Sequence, residues 1–403
     1  MNNRVNIIIV GAGLVGTSIA LALQKLGLSI LILENHIPTT LTDTKTDSRP
    51  ISLSYGSHRV LKALGVWDKL AAEACPILSV HVSEKKRFGT TRFSASEENV
   101  PALGYVVPFA TLQTTLYQHT VAQKNTTILP IQSIEKIHCD TQGAEIIVNT
   151  ASEKKSFQAD LLIAADGTNS TCRELLHIDC DVKNNGDTAH IYRLTLLESH
   201  DHTAYERFTD YGVLAILPLL DKKSAQLVWT ITLKTAEKIA DWGDEKTLAF
   251  LQDAFIERLS IASIKKFAQF PLQTKIADVQ IREAAVLLGN SAHTIYPVAA
   301  QGFNLGLNDV AILADVIIDA SKNNQPIGAL STLKKYDIAA QKNQTAIYNM
   351  TSSLTTLFDF PLIGCARGFG LLATDLIYPI KHKLAKRAMG VAGKLSKIIR
   401  DRR

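Results

Sequence analysis

Three glycine-bearing segments hold the residues of this chain best suited to cradle a phosphorylated ligand. In the first, Gly11-Ala12-Gly13-Leu14-Val15-Gly16 follows the apolar run Val5 to Val10 and opens an apolar stretch that continues to Leu26. A second apolar run, Leu28 to Leu33, ends in Glu34, 18 residues after Gly16. A strand, a glycine turn, a helix and a strand ending in an acid are what a dinucleotide requires. Gly11 permits the tight turn, Gly13 lets the backbone approach a pyrophosphate, Gly16 admits close helix packing, and Glu34 reaches the ribose hydroxyls. A carboxylate at Glu34 repels a 2′-phosphate, so the expected ligand is FAD or NAD rather than NADP.

The second segment, Asp166-Gly167, ends the apolar run Ala159 to Ala165, and the third, Gly289-Asn290, ends Ala284 to Leu288. Downstream of Gly289 the chain reads through His293 and Pro297 to Gln301-Gly302-Phe303-Asn304-Leu305-Gly306. A proline loop thus precedes Gly302, where a helix is expected to start. Unpaired N–H groups at such a start stabilise negative charge, as on a reduced flavin ring. Ligands of open parallel sheets collect beyond the carboxyl ends of the strands, so the three turns are expected to line one crevice.

The elements that must position these turns are βαβ units, and the fold class expected is α/β, a Rossmann-like domain for FAD or NAD. Residues 76–100 and 188–234 differ: apolar and polar residues alternate there, as in Leu227 to Leu233, which is the pattern of half-buried antiparallel strands. We therefore expect an inserted, mostly antiparallel β-sheet substrate domain and a helical C-terminus. The dinucleotide-binding domain is expected over 1–75 with 101–180 and 275–345, the substrate domain over 76–100 with 181–274, and a C-terminal helical region with a basic tail over 346–403.

With 403 residues, 46% hydrophobic and 20% charged, the chain can bury enough apolar surface to fold, which excludes wholesale disorder. The five cysteines form no CxxC pair and have no histidine at zinc spacing, so no metal site is expected and a reducing cytoplasm suits them. No signal segment is expected at the N-terminus, and the apolar zone 354–380 is broken by Asp359, Arg367 and Asp375. The net charge of +5 is a property of the tail: residues 380–403 carry nine Lys or Arg against one Asp. Without aromatic residues after Tyr378, that tail does not suit nucleic acid. Interspersed Leu384, Val391, Leu395 and Ile398 make it either a solvated helix end or a peripheral anchor for the inner face of a membrane.

The three motifs, in this order and spacing across essentially the whole chain, resemble those of the FAD-dependent aromatic hydroxylases, the class A flavoprotein monooxygenases. Within that family the chain is most similar to the ubiquinone-biosynthesis hydroxylases. The likeness rests on Arg49-Pro-Ile-Ser-Leu-Ser, Gly65-Val66-Trp67, Ala164-Ala165-Asp166-Gly167-Thr168, Tyr205-Glu206-Arg207-Phe208-Thr209 with Leu217-Pro218, and Gly302-Phe303-Asn304-Leu305-Gly306.

The resemblance implies FAD as cofactor, NADH or NADPH as a transient electron donor, and insertion of one atom of O2 into an electron-rich phenol ring. Among such phenols it points to a 2-polyprenyl-6-methoxyphenol, with other ubiquinone-biosynthesis proteins as partners. It assigns cofactor contacts to Gly11, Gly13, Gly16, Glu34, Arg49, Asp166, Gly167, Gly289, Asn290, Pro297, Gly302 and Asn304. Arg49 falls near the flavin and the substrate channel and His293 beside the flavin turn; these two are the candidate catalytic residues. Asn290 stands where most relatives have an aspartate, so a hydrogen bond is kept there without the charge. No WxWxIP sequence is present, which disfavours a halogenase. A hydroxylase acting at another ring carbon, and a non-catalytic FAD-binding subunit of a biosynthetic assembly, are the alternatives.

Overall fold

The computed structural model describes residues 3–36, 49–86, 89–256, 258–295, 301–359, 375, 377–392 and 396–397, the side chains of 301 and 349–359 excepted. β1 (Arg4–Val10), α1 (Leu14–Leu23) and β2 (Ile30–Glu34) form the first βαβ unit, with β1 and β2 parallel and Val10 opposite Leu33. β8 (Thr126–Pro130) extends the sheet beyond β2, and β11 (Lys154–Ala164) lies parallel to β1 on its other side. Next come β20 (Ala285–Leu287), parallel to β11, and β19 (Ile281–Arg282). β9 (Ser133–Asp140) and β10 (Gly143–Asn149) pair antiparallel and join the sheet through β11. The parallel strands read as unbroken apolar runs because both faces are covered: Ile7 and Ile9 pack on one side with Ile19, Val310 and Ile317, and Ile8 on the other with Ile146 and Leu287. The first of these layers consists of α1 and α8 (Gln301–Lys322), backed by α9 (Leu330–Asp359).

β1, β11 and β20 end side by side at Val10, Ala164 and Leu287, so the three glycine turns leave the sheet on one edge. This is the arrangement expected from the sequence, and its cause is the parallel register of three buried strands.

A second sheet of seven strands takes β5 (Ser79–Glu84) and β6 (Thr90–Ser94) from one chain segment and β13 (Thr188–Leu196), β14 (Thr203–Thr209), β15 (Gly212–Pro218), β16 (Ser224–Ile231) and β17 (Ile261–Pro271) from another. All its pairings are antiparallel except β5 with β14. Its outer face carries Leu194, Leu214, Leu227 and Trp229, packed under α6 (Leu233–Ile239) and α7 (Asp244–Ala254). Its inner face meets a small sheet of β3 (Pro50–Ser54), β4 (Cys75–Ile77) and β7 (Gly104–Pro108), where Ala204 and Leu217 pack on Cys75, Ile77 and Val106. A third small sheet joins β12 (Cys180–Lys183), β18 (Thr274–Ala277) and β21 (His293–Thr294). Three further helices complete the part that frames the site: α2 (Tyr55–Ala63), α3 (Trp67–Leu70) and α4 (Phe109–Val121). After α5 (Thr171–Leu175), the last described helix is α10 (Tyr378–Ala388). Among the described residues, no helix is long and apolar enough to cross a membrane.

Candidate functional site

The glycine turns touch one another directly. Gly11 has φ +101°, and a Cβ there would lie 2.5 Å from the Ala165 carbonyl oxygen, so the first turn rests on the second through bare backbone. At Gly16 a Cβ would stand 1.9 Å from the Gly11 carbonyl oxygen, which is how the first turn of α1 closes on its own loop. The third turn is joined through Val15, whose Cγ2 would be 2.9 Å from a Cβ at Gly289 and 3.1 Å from one at Gly306. One valine methyl therefore seats between two glycines of the third segment.

On the open side the picture reverses. Gly13, Gly167 and Gly302 would carry a Cβ into space where, apart from their own chain neighbours, no atom of the described residues lies within 4 Å. Gly13 is the N-cap of α1 and, among the described residues, no side chain bonds the N–H groups of that first turn, which leaves them for an anion. The Glu34 carboxylate is fixed at the mouth of the same turn, Oε2 accepting from the Ala12 N–H at 2.5 Å and Oε1 from the His36 N–H at 2.8 Å. A carboxylate has further lone pairs to accept ribose hydroxyls. These residues fit the pyrophosphate and ribose of FAD.

The second turn is held from below. Asp166 Oδ1 accepts from Ser170 Oγ at 2.6 Å and Oδ2 from the Cys172 N–H at 2.9 Å, so its side chain fixes the start of α5. Gly167, at φ +85°, then turns the backbone outward. Arg173, 4% exposed, donates from Nη1 to the Ser291 carbonyl at 3.0 Å and from Nη2 to the Thr168 carbonyl at 3.2 Å. It therefore ties the second turn to the third, beside a Thr294–Thr168 hydroxyl bond of 3.0 Å. Asn290 is exposed within the 3₁₀ turn Gly289–Ser291. Pro297 lies outside the described residues.

Asn304, in the first turns of α8, is 8% exposed. Its Oδ1 accepts from the Ser54 N–H at 2.8 Å and Ser57 Oγ at 2.7 Å, and its Nδ2 donates to the Ser52 carbonyl at 3.0 Å. The side chain thus locks α8 onto β3 and α2. Arg49 precedes β3, and its guanidinium lies over Phe270 of β17 at 4.9 Å and over Phe109 of α4 at 5.7 Å. It stands at the seam between the two large sheets. His293 is 3% exposed, its Nε2 is 2.5 Å from Asp309 Oδ2 on α8, and Nδ1 has no hydrogen-bond partner among the described residues. The structure therefore gathers Gly11, Gly13, Gly16, Glu34, Asp166, Gly167, Gly289 and Gly302 at one crevice, with Arg49 at the domain seam and His293 anchored behind it.

Sequence reasoning passed over Arg173 and Val15. Each bridges to a turn far along the chain, 118 residues away for Ser291, and no local spacing marks them. Of the polar residues on the inner face of the seven-stranded sheet, the same reasoning named Glu206 only within a motif and passed over Gln226. Gln226 is 1% exposed with neither amide atom bonded among the described residues, an arrangement that costs about 1–3 kcal/mol for a buried polar group. Glu206 points to the same side, and burial raises its carboxyl to about 7.

Residues 4–345 match the FAD binding domain family. The chain is similar to the ubiquinone hydroxylase UbiL of Rhodospirillum rubrum, at 28% identity covering 96% of this chain and 89% of that protein. It is similar also to the 3-demethoxyubiquinol 3-hydroxylase of Escherichia coli, at 28% identity covering 97% of this chain and all (100%) of the other. The fold is that of p-nitrophenol 4-monooxygenase PnpA from Pseudomonas putida, with a TM-score of 0.76 at 15% identity over 96% of this chain and 99% of that one. The glycine crevice and the family match agree: the chain belongs to the FAD binding domain family and is an FAD-dependent monooxygenase of the class A flavoproteins.

Proposed function

We propose that this flavoprotein hydroxylates the aromatic ring of a polyprenylated phenol in ubiquinone biosynthesis, with 2-polyprenyl-6-methoxyphenol as the substrate and NADH or NADPH as the electron donor. The observation that carries the reading is the union of three glycine turns in one crevice, Gly11 on Ala165 and Val15 between Gly289 and Gly306, in a chain whose relatives are named as ubiquinone-ring hydroxylases. When bound, FAD supplies the electron transfer to oxygen that a side chain lacks. The chain supplies the rest. The free N–H groups of α1 at Gly13 bind the pyrophosphate, Glu34 orients the ribose, and the start of α8 at Gly302 offers N–H groups to negative charge on the ring system. The seven-stranded sheet closes over the crevice and excludes water, with Arg49 between Phe109 and Phe270 at its edge.

A prenylated substrate resides in lipid, and the reading includes contact with the inner face of the membrane. The exposed side of α10 supports it: Ile377, Ile380 and Leu384 are 45%, 47% and 36% exposed at helical spacing, beside exposed Lys383 and Lys386.

Deletion of the gene, followed by mass spectrometry of the quinone lipids of aerobically grown cells, tests the proposal. A prenylated phenol or methoxyphenol lacking one ring oxygen should accumulate, and its mass identifies the ring position. The wild-type gene should restore the quinone and a Gly13→Val gene should not. Rescue by Gly13→Val would favour a non-catalytic subunit, and an unchanged quinone profile would remove the pathway assignment.

A further inference from the structure

Strand register fixes which side chains share the inner face of the seven-stranded sheet. Ile191, Val228, Ala215, Glu206 and Val82 lie directly opposite one another across β13, β16, β15, β14 and β5. The neighbouring row is Arg193, Gln226, Leu217, Ala204 and Val80. Leu217, Ala204 and Val80 of that row pack on Cys75, Ile77 and Val106 of the small sheet that leads from Arg49. Ile191 and Val228 pack with Phe270, which carries the Arg49 guanidinium at 4.9 Å. The face is therefore the wall turned toward the flavin crevice, and Glu206 and Gln226 are polar residues set in its apolar centre. Strand spacing and rise put their Cα atoms roughly 12 Å apart, so both side chains can reach one aromatic ring.

We propose that Glu206 and Gln226 form the ring-recognition pair of the enzyme: the Glu206 carboxylate accepts a hydrogen bond from the hydroxyl of an ortho-oxygenated phenol, and the Gln226 amide bonds the neighbouring ring oxygen. This rests on the hydroxylase reading above and deepens it. Gln226 supports the pair because its donors and its acceptor are all unbonded among the described residues at 1% exposure, in a wall that is apolar but for Glu206 itself and the neighbouring Arg193. Glu206 supports it because burial raises its carboxyl to about 7, where a change of protonation falls within the working range of an enzyme. The charged or titratable groups on that side, among the described residues, are Glu84 of β5, Arg193 of β13, Lys265 of β17, Cys75 of β4 and Arg49; burial, rather than any of these, is what raises Glu206. Above pH 7 the carboxylate accepts the phenol hydrogen; below it the acid carries its own proton and the preferred partner is lost.

The test uses the FAD-loaded enzyme and a short-chain 2-prenyl-6-methoxyphenol as probe, its binding read from the change in the visible flavin spectrum. For the wild type, Kd should fall as pH rises from about 6 to 8. Glu206→Gln, close in shape and uncharged, should raise Kd about tenfold at pH 8 and abolish the pH dependence. Gln226→Leu should raise Kd about tenfold and keep it. Flavin content and Tm of both variants confirm intact protein. Values of Kd within about twofold of wild type in both variants, or pH-independent binding by the wild type, overturn the pair. Wild-type binding without oxidation of NADH or NADPH defeats the hydroxylase reading instead, and the two variants still decide the pair. A wild type that does not bind the probe overturns the pair, while the quinone lipids decide the function separately.

Discussion

His293 of β21 and Asp309 of α8 form a buried pair, with Nε2 2.5 Å from Oδ2 and side chains 3% and 0% exposed. Gln344 of α9 donates to both oxygens of Asp309 at 3.2 Å and bonds Gln280 in turn at 3.1 Å. The pair thus clamps the strand after the third glycine turn onto α8. Removing one partner of a buried pair costs about 3–5 kcal/mol. Asp309→Ala should therefore lower the unfolding free energy by about 3 kcal/mol in urea titrations of the FAD-loaded protein. An unchanged midpoint would show that the clamp carries no stability.

The glycines of the first turn separate packing from ligand binding. Gly16→Ala places a methyl where the Gly11 carbonyl oxygen stands, at 1.9 Å, and neither atom belongs to a flexible side chain. That variant should fail to accumulate as folded protein. Gly13→Val extends into open space, so its chain should fold with a near-native far-UV spectrum yet lose the yellow chromophore. Retention of FAD by Gly13→Val would move the pyrophosphate away from α1.

Arg173 offers a different handle, because it touches only the backbone of the turns. Its guanidinium spans the Thr168 and Ser291 carbonyls from a buried position, a fork that lysine cannot reproduce. Arg173→Lys should leave the two turns free to separate and weaken FAD binding by about tenfold, measured by fluorescence of released flavin on dilution. Equal release from wild type and variant would assign the spacing of the turns to the strands alone.

The glycine crevice was legible in the sequence because its signal is local: each turn ends an apolar run of strand length, and glycine at Gly11, Gly167 and Gly289 is demanded by φ of +101°, +85° and +65°. The alternation in Leu227 to Leu233 likewise announced an antiparallel strand, realised in β16 as far as Ile231; Thr232 then caps α6, which Leu233 opens. Asn304 was legible as part of a motif, yet the structure commits its side chain to Ser52, Ser54 and Ser57, some 250 residues away. Periodicity gave β14 a buried face without telling which face meets the crevice; only pairing with β15 and β5 places Glu206 on the inner side. What the sequence withheld is long-range contact, which neither spacing nor composition encodes.

Stability should be acid-sensitive through two histidines. His58, 8% exposed among Tyr55, Trp67 and Tyr105, is lowered to about 4 by burial, aided by Lys62 and Arg59. His81, also 8% exposed, is lowered to about 4 by burial and then by Arg258, Arg92 and Arg207. Both fold in the neutral form, so below the ordinary value of 6.5 the unfolded chain binds protons that the folded chain refuses. Their contribution is intact above pH 6.5 and is lost as pH falls toward 4, roughly 2 kcal/mol for each at pH 4.5. Urea midpoints at pH 7 and 4.5 should differ accordingly, and His58→Met should recover part of the loss. Equal midpoints at both values would contradict the assignment.

The basic tail is partly consumed by the protein itself. Lys381 of α10, at 10% side-chain exposure, bonds Glu97 at 3.0 Å and Asp375 at 3.2 Å, and Lys397 pairs with Asp319 of α8. Ala385 and Met389 are buried against Ala95 and Leu103, and the Gly56 N–H donates to the Met389 carbonyl at 2.7 Å. α10 is therefore docked on the protein, and a lipid surface can meet only its outer side, where Ile380 and Leu384 are exposed beside Lys383 and Lys386. A basic residue near an anionic surface contributes about 1 kcal/mol, so Lys383→Ala with Lys386→Ala should weaken binding to phosphatidylglycerol vesicles by roughly tenfold or more. Ile380→Glu with Leu384→Glu should abolish the part of binding that persists in high salt, because apolar insertion is not screened as charge is. Cosedimentation with vesicles measures both effects. Wild-type binding that is equal on phosphatidylglycerol and phosphatidylcholine, and unaltered by all four substitutions, would leave α10 a structural brace between Glu97 and Gly56 and move any membrane contact elsewhere in the chain.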